Sequence, residues 1–211
     1  MEFAALGIFV TPGEKVPHII GAIMDNTTRG YTLSSTLAHI EANYDEATRK
    51  KMLEGLSIEL REVLRSVNDV SWYPVSQAGD LFGAIVKHHE ETDGKPEAAL
   101  ERVGRTISSR AMNTFLKLLM KLMTPGLFSR KLPDFWSRDN KCGTLVASMD
   151  GDKKLKITMS GIGPFHYIPG AIPGFICGAL DAMGCKNARM TSDWSAANKG
   201  QDVVKYEAVW D

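Results

Sequence analysis

Residues 142–160 read CGTLVASMDGDKKLKITMS, and this stretch decides the fold. Leu145, Ala147 and Met149 alternate with Thr144, Val146 and Ser148; past the turn, Leu155, Ile157 and Met159 alternate with Lys154, Lys156 and Thr158. A period of two puts each set on its own face of a strand. Between the runs, Asp150-Gly151-Asp152 is a hairpin signal, because glycine tolerates positive φ. The stretch predicts an antiparallel pair with one apolar face.

Downstream, a Gly- and Pro-rich segment leads to a helix predicted over Pro173 to Met183, with Gly184 at its C′ position. Two more strands are expected, Asn187 to Trp194 and Val203 to Trp210, joined by the polar loop Ser195 to Asp202. The C-terminal half is therefore strand–strand–helix–strand–strand. Residues 157–180 carry no formally charged side chain, yet Gly161, Gly163, Pro164, Pro169 and Pro173 would leave backbone groups unpaired in lipid, so a transmembrane span is rejected.

Upstream of the hairpin the period lengthens. Asn43 with Glu46 resembles a capping box, and Leu53, Leu56, Leu60, Val63, Leu64 and Val67 follow at three- and four-residue steps until Asn68-Asp69. A second helix is predicted from Pro74, with the stripe Val75, Ala78, Leu81, Phe82, Ile85 and His89. A third, the longest, opens at Pro96 and runs to Thr124-Pro125-Gly126. Val103, Ile107, Ala111, Phe115, Leu118, Leu119 and Leu122 form its apolar face, with Arg102, Arg105, Arg110, Lys117 and Lys121 on the polar side. A basic amphipathic helix keeps a membrane surface or a partner's groove in view, but so broad an apolar face is read as buried under the sheet. At the start of the chain, Phe3 to Val10 predicts a short strand or buried arm, Pro17 to Met24 a short helix, and Asp25 to Gly30 a loop. Together these give an α+β fold, with N-terminal helices packed on a small antiparallel sheet. Residues 1–40 are taken as an N-terminal arm and 41–211 as one ligand-binding domain.

The 211 residues contain 44% hydrophobic and 24% charged side chains, which is globular composition. Acids and bases balance at 25 each, which excludes a chain-wide basic footprint for nucleic acid. The balance is local: residues 1–101 carry 16 acids and 9 bases, residues 102–156 carry 4 and 12, and residues 157–211 carry 5 and 4. Such a dipole can orient self-association or steer an anionic partner to the middle segment, and solvated helix faces explain it equally well. Three unpaired cysteines and no signal peptide point to a reducing, cytoplasmic setting.

Gly104-Arg105, the hairpin from Cys142 to Met159, the run Tyr167-Ile168-Pro169-Gly170-Ala171-Ile172-Pro173-Gly174-Phe175 and then Ala179-Leu180-Asp181-Ala182-Met183-Gly184 carry a resemblance. Over roughly residues 40–211 the chain resembles the 4-vinyl-reductase-like domain, and more closely a family of about this length that is expanded in the myxobacteria. In both, an aromatic, Cys or His position precedes a glycine pair four apart that opens a helix, and a last strand like Tyr206 to Trp210 completes the domain. That group shares its fold with the heme-based nitric-oxide sensors (the H-NOX group) and with aromatic-sensing domains of some bacterial transcription activators. The resemblance implies a ligand-binding or sensory module, often dimeric, with no reaction of its own. The Tyr-x-Ser-x-Arg triplet with which the heme sensors hold propionates is absent, and none of His18, His39, His88, His89 or His166 is followed by a proline four residues on. Zinc-bearing relatives use cysteines in a final hairpin, and here residues 187–210 contain none.

The candidate binding residues are His166 between Phe165 and Tyr167, the pair Gly170 and Gly174, and the aromatics Trp72, Phe115 and Trp136. His166 could touch a ligand or bind a heme iron, or simply pack among aromatics with one hydrogen bond. Gly170 and Gly174 would allow a helix or a ligand close to the backbone. Cys142, Cys177 and Cys185 lack a paired C-x-x-C spacing, so zinc is disfavoured. His88 and His89, being adjacent, diverge by about 100° on a helix and cannot share one ion. No nucleophile elbow, Ser-His-Asp arrangement, phosphate loop or nucleotide fingerprint is present, so an enzyme is not expected. The expectation is a homodimeric bacterial signalling module that binds a small hydrophobic or aromatic ligand and hands the signal to a protein partner. A heme-based gas or redox sensor using His166, and a scaffold with a filled core, are the alternatives.

Overall fold

The computed structural model describes residues 26–112 and 114–211, without the side chains of 114–117. The strand and helix expected within residues 3–24 lie outside the described residues. The described elements are β1 (Thr27–Arg29), α1 (Tyr31–Asn43), α2 (Glu46–Glu54), α3 (Ile58–Arg65), β2 (Trp72–Pro74), α4 (Val75–Thr92), α5 (Pro96–Ala111), α6 (Thr114–Leu122) and α7 (Pro125–Asp139). They continue with β3 (Thr144–Met149), β4 (Lys154–Ser160), α8 (Ile168–Ala182), β5 (Arg189–Ser192) and β6 (Val203–Val209). The architecture is α+β, as the periodicities predict.

The hairpin β3–β4 pairs in register from Thr144–Ser160 to Met149–Leu155, and the full antiparallel sheet runs β3-β4-β6-β5. Leu155, Ile157, Met159, Val204, Tyr206 and Ala208 are buried on one face. Lys154 and Lys156 on β4 make ion pairs with Asp150 and Glu207. One apolar face per strand is what an antiparallel sheet open to water on one side requires.

Helix α8 covers the apolar face, and α5 packs on α8. The contact is close because each helix offers a glycine to the other's backbone. A Cβ on Gly104 of α5 would fall on the Ala171 carbonyl of α8, and one on Gly174 of α8 would fall on the Glu101 carbonyl of α5. Helix α8 begins at Ile168, five residues before the expected start, and so contains both Pro169 and Pro173. Proline in the first turn is harmless because the N–H it lacks has no helical acceptor there. Pro173 is further in and leaves the Pro169 carbonyl without its helical donor. The Tyr206 hydroxyl of β6 donates to that carbonyl at 3.1 Å, tying helix to sheet where the helix cannot bond to itself. Burial holds Tyr206 firmly in its protonated, donating form.

Several local expectations change. The stripe from Leu53 to Val67 spans two helices, because Gly55 ends α2 and Ser57, whose hydroxyl accepts from Leu60 N–H at 3.1 Å, caps α3. The first cap is Asp45, which accepts from Thr48 N–H at 2.8 Å; Asn43 instead closes α1. The loop expected at residues 25–30 contains β1, whose partner β2 lies more than forty residues away. The predicted long third helix breaks after Ala111, where Met112 turns extended. Asn and Thr, the next two residue types, favour helix ends over interiors. Helix α7 was not expected at all. Helix α1 runs across the division drawn at residue 40, and its Leu33 and Ile40 are fully buried in the common core.

Gly174→Ala should push α5 from α8 and lower unfolding stability by about 3 kcal/mol, the upper part of the range for overpacking. Tyr206→Phe, which orphans the Pro169 carbonyl, should cost about 1–2 kcal/mol. Urea titrations followed by far-UV circular dichroism test both, and a neutral Gly174→Ala would refute the close-packing account.

Candidate functional site: an apolar cavity with a polar end

A cavity of about 120 Å³ lies between α5, α7 and α8. Its walls are Phe82, Phe128, Phe135, Trp136, Phe175 and aliphatic side chains that include Ile107, Leu132 and Ile172. Small residues leave the space open: Gly104, Ser108 and Ala111 come from α5, and Ala171 and Ala179 from α8. Met112 and Met120, either side of the α5–α6 break, complete the lining. An apolar cavity on the order of 150 Å³ is enough for benzene.

Two polar features interrupt this wall. Ser108 is fully buried where α5 meets α8, its side chain beside Gly178, and its hydroxyl has no hydrogen-bond partner. A buried hydroxyl without a partner costs on the order of 1–3 kcal/mol, so such groups are rare unless something pairs with them. At the other feature, Thr28, Tyr31, Thr32, Arg138, Asp139 and Asn140 converge. Arg138 clamps Asp139 through Nε at 3.0 Å and Nη2 at 2.6 Å, while Thr28 donates to Asn140 Oδ1 at 2.9 Å. Burial, and then the Asp139 carboxylate beside it, keeps the Tyr31 phenol protonated and able to donate. The indole of Trp136 is fixed by its N–H bond to the Cys142 carbonyl at 2.9 Å.

The candidate residues from the sequence divide among different places. Trp136 lines the cavity. Phe165, His166 and Tyr167 line a different, more open groove of about 840 Å³ between α2, α4 and the loop before α8. Tyr167 there has φ 70°, a left-handed conformation uncommon for a bulky residue. Its ring packs on Gly83 and its hydroxyl accepts from Lys199 Nζ at 3.1 Å. Gly170 faces Leu100 and the Trp194 ring, and Gly174 faces the backbone of α5, so what approaches these glycines is protein. Trp72 sits on β2 beneath the Arg29 guanidinium, 3.9 Å from its ring centre, and lines neither concavity. The side chain of Phe115 lies outside the described residues.

Ser108, Tyr31, Phe128, Phe135 and Asp139 were missed. The signal for α7 was present: Thr124 caps it, Pro125 stands at its first position, and Phe128, Leu132, Phe135 and Trp136 follow at helical steps. Pro133 inside that run masks it.

Among the described residues no three His, Cys, Asp or Glu side chains gather around a common point. Burial pushes the Cys142 thiol up to about 12 and the Cys177 thiol up to about 11, so both are protonated at neutral pH. Of the adjacent histidines, His89 is buried, with Nδ1 at 3.0 Å from Asp93 and Nε2 at 2.9 Å from the Tyr44 hydroxyl. His39 is buried between α1 and α5, with Nδ1 at 2.8 Å from Thr106 Oγ1. The Thr106 hydroxyl also reaches the Arg102 carbonyl at 3.1 Å, the Asn43 amide nitrogen lies 3.4 Å from the same His39 Nδ1, and His39 Nε2 is buried without a partner.

Burial, with Arg102 and His89 adding to it, lowers the His39 pKa to about 4. Between pH 6.5 and pH 4 the unfolded chain then binds the proton more readily, so this group's contribution is complete above pH 6.5 and lost as pH falls towards 4. Urea midpoints should fall across that window, and His39→Gln should flatten the fall; an unchanged slope in the variant would reject the assignment.

No family model and no curated protein matches the chain. Solved structures do. An Fe(II) unliganded H-NOX protein from K. algicida superposes with TM-score 0.62 at 13% identity, covering 87% of this chain and 96% of its own. An H-NOX protein from S. oneidensis in the Fe(II)NO ligation state gives 0.57 at 11%, covering 87% and 99%. The chain has an H-NOX-like fold, and at such identities the likeness extends to the fold alone.

Proposed function

We propose that this chain is a non-catalytic sensor-type module that takes a single-ring aromatic, or an apolar molecule of that size with one hydrogen-bonding group, into the cavity between α5, α7 and α8. The observation that carries the reading is the Ser108 hydroxyl, buried and without a hydrogen-bond partner in the apolar part of the wall. A phenol-like ligand would fill the space and satisfy that group together. The Tyr31–Asp139–Arg138 end offers a second polar anchor. Occupancy would be read out by a signalling protein or a second copy of the chain in a bacterial cytoplasm. Among the described residues no helix is long and apolar enough to cross a membrane.

The H-NOX-like fold raises heme as the alternative, and the residues present do not fit it. Among the described residues the lining contains neither histidine nor cysteine, and residues 113–117 are Asn, Thr, Phe, Leu and Lys. About 120 Å³ is also small beside the roughly 300–1,000 Å³ of ordinary ligand sites. His166, the sequence-based candidate, opens on the other groove.

Isothermal titration with phenol and with benzene tests the reading. Phenol should bind roughly fivefold more tightly, the worth of one hydrogen bond, and Ser108→Ala should erase the difference. Without ligand, Ser108→Ala should be neutral or slightly stabilising, because it removes an unsatisfied group. Ala111→Phe should fill the cavity and block both compounds. If neither compound binds, the cavity is not a ligand site and the scaffold reading takes its place. A Soret band on adding heme that His166→Ala removes would instead restore the heme reading.

A further inference from the structure

The helix between the cavity and solvent is apolar on two faces. On α6, Met120 is 4% exposed and lines the cavity, whereas Leu118, Leu119 and Leu122 are 60%, 42% and 79% exposed. At one- and four-residue steps those three leucines share one face, and Leu127 at the start of α7 is exposed as well. The expected burial of the stripe holds for Val103 and Ile107 on α5 and is overturned for the leucines of α6. The other large exposed apolar side chains among the described residues, Ile58, Val70, Val146 and Val203, are scattered over α3, the α3–β2 loop, β3 and β6.

The charge flanking the stripe in sequence is of one sign. Between Glu101 and Asp134 there are 32 residues with seven Lys or Arg and no Asp or Glu. Arg105 is engaged with Asp181 at 2.7 Å and Lys131 with Asp134 at 3.1 Å. Among the described residues Arg110, Lys121 and Arg130 are exposed and have no ion-pair partner.

We propose that α6 docks this domain on an anionic lipid surface, its leucines entering the acyl boundary and the flanking cations meeting the headgroups. A run of exposed leucines set among cations and free of carboxylates matches an interfacial helix in both chemistry and arrangement. A second copy of the chain is the weaker occupant. Its acidic segment, residues 1–101, supplies opposite charge, but there the described exposed apolar side chains are the isolated Ile58 and Val70, with no stripe to meet three leucines. The inference does not depend on the cavity binding a ligand.

Co-sedimentation of the full chain with vesicles tests it. Vesicles of phosphatidylcholine mixed with phosphatidylserine should retain the protein, and phosphatidylcholine alone should retain roughly tenfold less or worse. Raising the salt should weaken retention. Leu118→Glu with Leu122→Glu should abolish binding, and Lys121→Glu with Arg130→Glu should weaken it by roughly tenfold. All four positions are exposed, and circular dichroism of each variant checks that the fold is kept. Failure to sediment with the mixed vesicles overturns the proposal, as does sedimentation unchanged in both variants. A dimer seen by light scattering that the leucine variant dissolves, without vesicle binding by the parent chain, overturns it in favour of a copy-to-copy interface.

Discussion

Backbone contact between α5 and α8 sets how the helices stack on the sheet. Gly104 and Gly174 are each opposed by a carbonyl of the other helix, so neither position accepts a methyl group without separating the pair. The small residues that accompany this approach also leave space beside it. Gly104, Ser108 and Ala111 on one helix and Ala171 and Ala179 on the other leave a volume that the aromatics of α7 do not fill. Interiors are normally packed to crystal density, so a void held open between two helices that cannot separate freely is a property of the pair.

The cavity joins two kinds of wall, and its chemistry follows from the difference. Most of its atoms are hydrocarbon, which favours expelling water and admitting something apolar. Ser108 and the Tyr31–Asp139–Arg138 end are the exceptions, one unpaired and the other paired within itself. A ligand gains more from the unpaired group, since it need not compete with an existing protein hydrogen bond. The H-NOX proteins that share this fold are Fe(II) and Fe(II)NO forms, while here the described residues of the cavity lining include no imidazole or thiolate. Fold and site are separable, and side chains at a few positions set which chemistry a scaffold hosts.

Helix α6 relates the interior to the surface. One face closes the cavity through Met120, and the opposite face presents leucines to solvent. A short helix with apolar side chains on two faces can bury one against the core and leaves the other to solvent or a partner. Anything that engages the outer face bears on the segment that also lines the cavity, since nine residues span both.

The hairpin, the stripe of α4 and the strand–strand–helix–strand–strand order of the C-terminal half were legible in the sequence because they follow from local rules: period two, period 3.6, glycine at a turn and proline at a helix start. Where one helix was read for two, at residues 46–65 and 96–122, the hydrophobic rhythm carries on through a break, so periodicity alone could not reveal it. Helix α7 was hidden by Pro133, and the start of α8 by two prolines, one of them tolerated because Tyr206 satisfies the carbonyl it orphans. Which residues share a cavity could not be read at all. Trp136 and Ser108 meet across elements, whereas His166, Gly170 and Gly174, neighbours in sequence, face a groove, an indole and a helix backbone. The α+β class, the antiparallel hairpin and the unbalanced charge are properties of neighbouring residues and can be read along the chain. Which apolar stripe is core and which is surface depends on packing between distant elements, because a helix's period tells that it has faces and not what lies against them.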